Sequence, residues 1–212
     1  MKETSLDPLF IPSDADLSEH MELTRGDINM SDLRHAVGSL PFNSAYDFFR
    51  AAANRFLAQG QTDQAIDYIV SFDAIASRIA DENPRLLDIH AALMQILTSI
   101  YLQADMTSEA IQSAASALNL LVQNPKRKDE PFLSLLASLL FDIALLHDSR
   151  DEHKQAERAI EKSMKLFERL AKTNPRRYGS AHLLALNAST SIYKSRIKQT
   201  NTLAQYQAAA NT

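Results

Sequence analysis

The chain of 212 residues has no cysteine, no tryptophan and only four glycines. Without thiols, a disulfide scaffold, a thiolate zinc site, an iron–sulfur cluster and a cysteine nucleophile are all excluded. Four glycines fall well below the ~7% usual in globular chains, which argues against a turn-rich sandwich or barrel. They also leave no Gly-rich phosphate loop. Long apolar runs are scarce: the densest, Phe132 to Leu146, is interrupted by Ser134, Ser138 and Asp142 and reads as too short to span a bilayer. The opening residues, Met1 to Pro8, place no apolar stretch behind a basic end, so no secretory signal is expected. With no cysteine to suggest an oxidising compartment, a cytoplasmic location is the default.

What is present is an ordinary balance, 45% hydrophobic and 23% charged with a formal net charge of −4. The length fits one domain, or one domain plus a tail. Residues 1–40 stand apart, with eight acidic and three basic residues for a net of −5, and with Pro8, Pro12 and Gly26 breaking any helical period. Residues 1–43 therefore read as an acidic, poorly ordered N-terminal tail or arm, carrying one proline-bounded apolar cluster at Leu9, Phe10 and Ile11. From residue 44 onward the periodicity is helical, as in Leu135, Leu139, Ile143 and Leu146. Turn signals cut it into eight segments, near 44–59, 62–82, 85–104, 107–123, 131–148, 151–173, 177–198 and 201–210. The fold class is all-α.

The segments repeat. Alanines open the even-numbered helices at Ala65, Ala110, Ala156 and Ala204, at intervals of 45, 46 and 48 residues. Nine residues before the first three stand Phe56, Tyr101 and His147, and twelve before stand Ala53, Thr98 and Ala144. Asn83-Pro84, Asn124-Pro125 and Asn174-Pro175 end three of the pairs as physical stops. A fixed period of this length marks a repeat array of units near 44–84, 85–130, 131–175 and 176–212. In its small helix-A residue, the bulky residue three later, the helix-B alanine and the closing proline, the array resembles the tetratricopeptide repeats, in a long variant of about 45 residues per unit. Asp148 to Pro175 carries the likeness best, whereas Asp105 and Asp151 stand where that family has glycine. The resemblance implies a right-handed α-α superhelix of four antiparallel hairpins over residues 44–212, the last helix serving as a cap. Period alone leaves a closed helical bundle open as the other way of stacking the hairpins.

Few residues invite chemistry. A zinc-protease helix needs histidines four apart, and the nearest pair, His147 and His153, is six apart across an expected turn, beside Asp148, Asp151 and Glu152. Asp151 and Glu152 read more simply as first-turn residues favoured by the helix dipole. His90, among Ile89, Leu93 and Met94, reads as packing. Gly38-Ser39 and Gly179-Ser180 lack the strand and the second glycine of a nucleophile elbow. Glu157 and Glu161 sit among Lys154, Arg158, Lys162 and Lys165 as a solvated helix face, and Phe48, Phe49, Phe56, Tyr68 and Phe72 recur at core spacing. No enzyme activity, metal or cofactor is expected.

The resemblance further implies a non-enzymatic module that binds a protein or peptide partner in a concave face lined by the first helix of each unit. Those positions are Asp47, Arg50, Asn54, Gln95, Ser99, Gln103, Ser138, Phe141 and Asp148. Arg50 and Asn54 match half of the clamp that grips a peptide C-terminus in some members, but Ile96, Ser138 and Asp142 occupy the other half. The alternative is a nucleic-acid-associated regulatory protein acting through basic C-terminal helices. Residues 169–212 carry Arg169, Lys172, Arg176, Arg177, Lys194, Arg196 and Lys198 and no acid. A sequence pI near 5.9 weighs against that reading for the chain as a whole. The acidic arm and the basic end also invite homo-oligomer contacts.

Overall fold

The computed structural model describes residues 42–79, 84–122 and 128–210, and among these no strand occurs. The N-terminal arm expected over 1–43 lies outside the described residues except at its last two positions. The helices run in order α1 (Phe42–Ala58), α2 (Thr62–Ile79), α3 (Pro84–Gln103), α4 (Thr107–Val122), α5 (Glu130–Ser149), α6 (His153–Thr173) and α7 (Pro175–Ala210). The chain divides between Arg127 and Lys128 into two compact units, the first holding α1–α4 and the second α5–α7.

The turns inside the α1–α2, α3–α4 and α5–α6 hairpins are the same turn made three times. Gly60, Asp105 and Asp151 occupy its left-handed position, with φ of 71°, 56° and 58°. The next amide reaches back across the helix end in each case: Gln61 to the Phe56 carbonyl at 2.9 Å, Met106 to Tyr101 at 2.9 Å and Glu152 to His147 at 2.8 Å. Such bonds use carbonyls that the end of a helix leaves orphaned. The carbonyls of Gln61, Met106 and Glu152 then accept the amides of Ala65, Ala110 and Ala156 and so open the following helix. Those three alanines are fully buried, as are Thr98 and Ala144, with Ala53 at 1% exposure. Small side chains at these positions let the paired helices approach closely. Thr98, the polar member, satisfies its hydroxyl on the Met94 carbonyl of its own helix at 2.9 Å.

In the first unit α1 packs on α2 and α3, α2 packs on α3, and α3 packs on α4. Phe49, Phe72, Tyr68 and Phe56 form a chain of tilted rings between α1 and α2, with centroids 4.9–5.7 Å apart. In the second unit α5 packs on α6 and α6 on α7, over a core that includes Leu135, Leu139, Ile160 and Ile192. Ser163 Oγ, fully buried, donates to the Ala137 carbonyl at 2.8 Å and joins α6 to α5. Helix α5 is longer than the run seen in the sequence, and by length and composition it is able to cross a membrane. Nine of its residues are buried, Asp142 among them, as befits the core helix of its unit.

One expectation about boundaries is corrected. The expected seventh and eighth segments form one uninterrupted helix, α7, so the hinge near 199 and the fourth hairpin do not exist. The stretch Gln199-Thr200-Asn201-Thr202 contains no glycine or proline, and its residues lower helix propensity by only a few tenths of a kcal/mol each, about what Ser, Asn and Thr cost. Thr200 and Thr202 donate to the carbonyls of Arg196 and Lys198 at 3.0 Å, keeping their hydroxyls on the helix. Helix α6 stops at Thr173, just before Asn174-Pro175, while Asn124-Pro125 lies outside the described residues. The prolines at 84 and 175 also open helices: Pro84 and Pro175 are first residues, and Asn174 Oδ1 caps α7 by accepting the Arg177 amide at 3.2 Å.

Candidate partner-binding surface

Helices α1 and α3 lie side by side in the first unit and carry six of the nine expected concave-face residues. Arg50, Asn54 and Gln103 are exposed, and Asp47 and Ser99 are half-buried. The Arg50 guanidinium stands 5.5 Å from the centre of the Tyr46 ring. Gln95 does not belong to this surface. It is 5% exposed, and its Oε1 accepts the Tyr46 hydroxyl at 2.6 Å, so it ties α1 to α3. A ligand on this face therefore meets one cation, one carboxylate and three neutral polar groups, a surface able to hydrogen-bond an extended or helical peptide.

Ser138, Phe141 and Asp148 lie on α5 in the second unit, all half-buried. Asp148 is taken up by the hairpin turn: its Oδ1 lies 2.9 Å from His153 Nδ1, while His147 Nδ1 lies 2.6 Å from Glu152 Oε2. The two histidine–carboxylate pairs cross the turn in opposite senses. His147, then Arg150, holds the Glu152 carboxyl below its ordinary range. Asp151 and Glu152 are not first-turn residues as expected, since α6 begins at His153 and Asp151 is the left-handed residue of the turn. Among the described residues no three His, Asp or Glu side chains converge as a metal site. In the first unit His90 does more than pack: its Nε2 lies 3.2 Å from Asp73 Oδ1 and sets an imidazole against a carboxylate between α2 and α3. Burial raises the Asp73 carboxyl and His90 pulls it back down.

The seven basic candidates divide. Lys172 pairs with Glu168 at 2.6 Å, and Arg196 grips both oxygens of Glu157 at 2.6 and 2.7 Å. Arg177 lies over the Tyr178 ring, 5.6 Å from its centre, with Nε donating to that hydroxyl at 3.2 Å. Arg169, Arg176, Lys194 and Lys198 are exposed. Residues 176 and 194 stand about 27 Å apart along the helix, at 1.5 Å per residue, so these cations form two clusters rather than one patch. Sequence reasoning missed a different feature of α7, a row of exposed apolar residues including Leu183, Leu186, Tyr193 and Ile197. Their steps of three and four are the signal in the sequence, and it shows as one row only when residues 183–197 are taken as part of a single helix. Comparison with protein-family models, with curated proteins and with solved structures returns no match for this chain.

Proposed function

We propose that this protein is a non-enzymatic helical-repeat module, of the tetratricopeptide kind, that binds a protein or peptide partner on the first-helix faces of its hairpins. The observation that supports this reading most is the threefold recurrence of one turn, with its left-handed residue, its back-reaching amide and its buried alanine at matching positions. A chain that builds the same hairpin repeatedly is organised to present successive faces, and such arrays serve recognition. On the first unit that face is Arg50, Asn54, Ser99 and Gln103, with Asp47 beside them.

Co-purification with the tagged chain tests the reading. A protein partner retained by the wild type should be lost on combining Arg50→Ala with Gln103→Ala, both exposed, while the melting temperature stays put. Capture indifferent to these changes would place recognition elsewhere. If instead labelled DNA or RNA shifts with the chain at low micromolar concentration, and reversing Arg176, Arg177 and Lys194 abolishes the shift, the nucleic-acid reading replaces this one.

A further inference from the structure

Helix α7 has two apolar faces; its unit buries one and touches the other through the Tyr193 hydroxyl, which donates to Glu161 of α6 at 2.8 Å. Tyr178, Ala185, Ser189 and Ile192 are buried. Leu183, Leu186, Thr190, Tyr193 and Ile197 form a second row at steps of three, four, three and four, the spacing of a helix-packing seam, and all are exposed. Leu183 and Ile197, 61% and 60% exposed, mark the two ends of the row. A single exposed apolar residue, such as Leu184 off the row, is ordinary, and it is the continuous strip at helical spacing that asks for an occupant. The row is about 21 Å long at 1.5 Å per residue.

Its border is basic. Lys194 and Lys198 follow Tyr193 and Ile197, Arg176 lies toward the start of the helix, and no acidic residue follows Glu168 in the chain. The nearest carboxylates on α6 are occupied, Glu161 by the Tyr193 hydroxyl at 2.8 Å and Glu157 by Arg196. Such a surface accepts an acidic segment with apolar side chains and resists a basic one. A second α7 is a poor occupant, because it brings the same cations and no carboxylate. Residues 1–40 of the same polypeptide have the required chemistry, with a net charge of −5 around Leu9, Phe10 and Ile11.

We propose that the outer row of α7 is the docking site for the acidic N-terminal segment, residues 1–40, of a second copy of this chain, the two copies exchanging segments. Exchange about a two-fold axis produces two equal sites. That doubling matters, since a row about 21 Å long and about 10 Å wide offers only on the order of 200 Å² per site against the roughly 800 Å² per partner of a standard interface, and the doubled contact gives a weak dimer.

Sedimentation equilibrium of the full chain is the test, from 1 to 100 micromolar protein at about 50 mM salt, where charge is weakly screened. The expected result is a rise toward dimer mass, with the dissociation constant at least tenfold weaker at 0.5 M salt. Leu183→Glu with Ile197→Glu alters only exposed side chains and should abolish dimerisation with an unchanged circular dichroism spectrum. Leu9→Ser with Phe10→Ser and Ile11→Ser should do the same from the other side of the contact. A monomer at every concentration overturns the proposal. So does a dimer lost in the α7 variant but retained in the residue 9–11 variant, which would assign the row to another surface of the second copy. Flotation of a monomeric chain with phosphatidylserine–phosphatidylcholine vesicles, lost in the α7 variant, would assign it to lipid and overturn the proposal too.

Discussion

Asp105 and Asp151 hold a backbone conformation that suits glycine, which the equivalent Gly60 supplies. A side chain in the left-handed region costs on the order of 1 kcal/mol, and an aspartate lowers that only partly through local hydrogen bonding. Asp105 is exposed, so Asp105→Gly should raise stability by about 0.5–1 kcal/mol in urea unfolding. Gly60→Ala should lower it by about 1 kcal/mol, and for conformational reasons alone, because nothing lies within 4 Å of the added carbon. Asp151→Gly gains less, since Asp151 also stands 3.6 Å from His153 Nε2. Glu152, in the same turn, gives a pH signature. Its carboxyl is held below the ordinary 4.5, first by the hydrogen bond from His147 and then by Arg150. A depressed folded pKa means that the unfolded chain takes up the proton first, so the stabilisation is complete above 4.5 and disappears as pH falls through the folded value. The melting-temperature gap between wild type and Glu152→Gln should therefore be widest near neutral pH and close on acidification below 4.5. A constant gap would mean that the carboxylate charge contributes nothing.

At the scale of the element, the hairpin is the unit that the sequence announces. Ala65, Ala110 and Ala156 were visible as a period, and all three are buried without residual exposure. Ala110→Arg forces a long cation into that contact and should destabilise the first unit by several kcal/mol, typical of overpacking joined to an unpaired buried charge. A melting temperature within a degree of wild type would remove Ala110 from the interface. The sequence was less informative where partners are distant or where no residue marks a boundary. The burial of Gln95 depends on Tyr46, 49 positions away, and no local pattern joins them. The continuity of α7 past 199 was illegible because polar, moderately helix-averse residues look like a turn until the lack of glycine and proline is weighed. Conversely, the left-handed aspartates were detectable only as departures from the resembled pattern, and the backbone shows that the turn kept its shape.

Across the whole molecule charge is divided with the chain. Residues 1–127 carry a net of −8 and residues 128–212 a net of +4. Four cations of the C-terminal group, Arg169, Arg176, Lys194 and Lys198, have no ion pair among the described residues. Neutralising about four phosphates predicts a log–log salt slope no steeper than about −3 for a labelled single-stranded oligonucleotide. A slope well beyond that, measured by fluorescence anisotropy, would require basic residues outside this set. Helix α7 also has a mechanical side. It is held near its start by the Tyr178 hydroxyl on Glu130 at 2.8 Å and again by Arg196 on Glu157. The holding points are about 27 Å apart and about 21 Å of helix extends beyond the second, at 1.5 Å per residue. No glycine or proline interrupts the helix after Gly179. A pull on the far end thus turns α7 about Arg196 as over a fulcrum, and the neighbouring Tyr193 bond to Glu161 and the buried Ile192 and Ser189 take up the load before it reaches Tyr178.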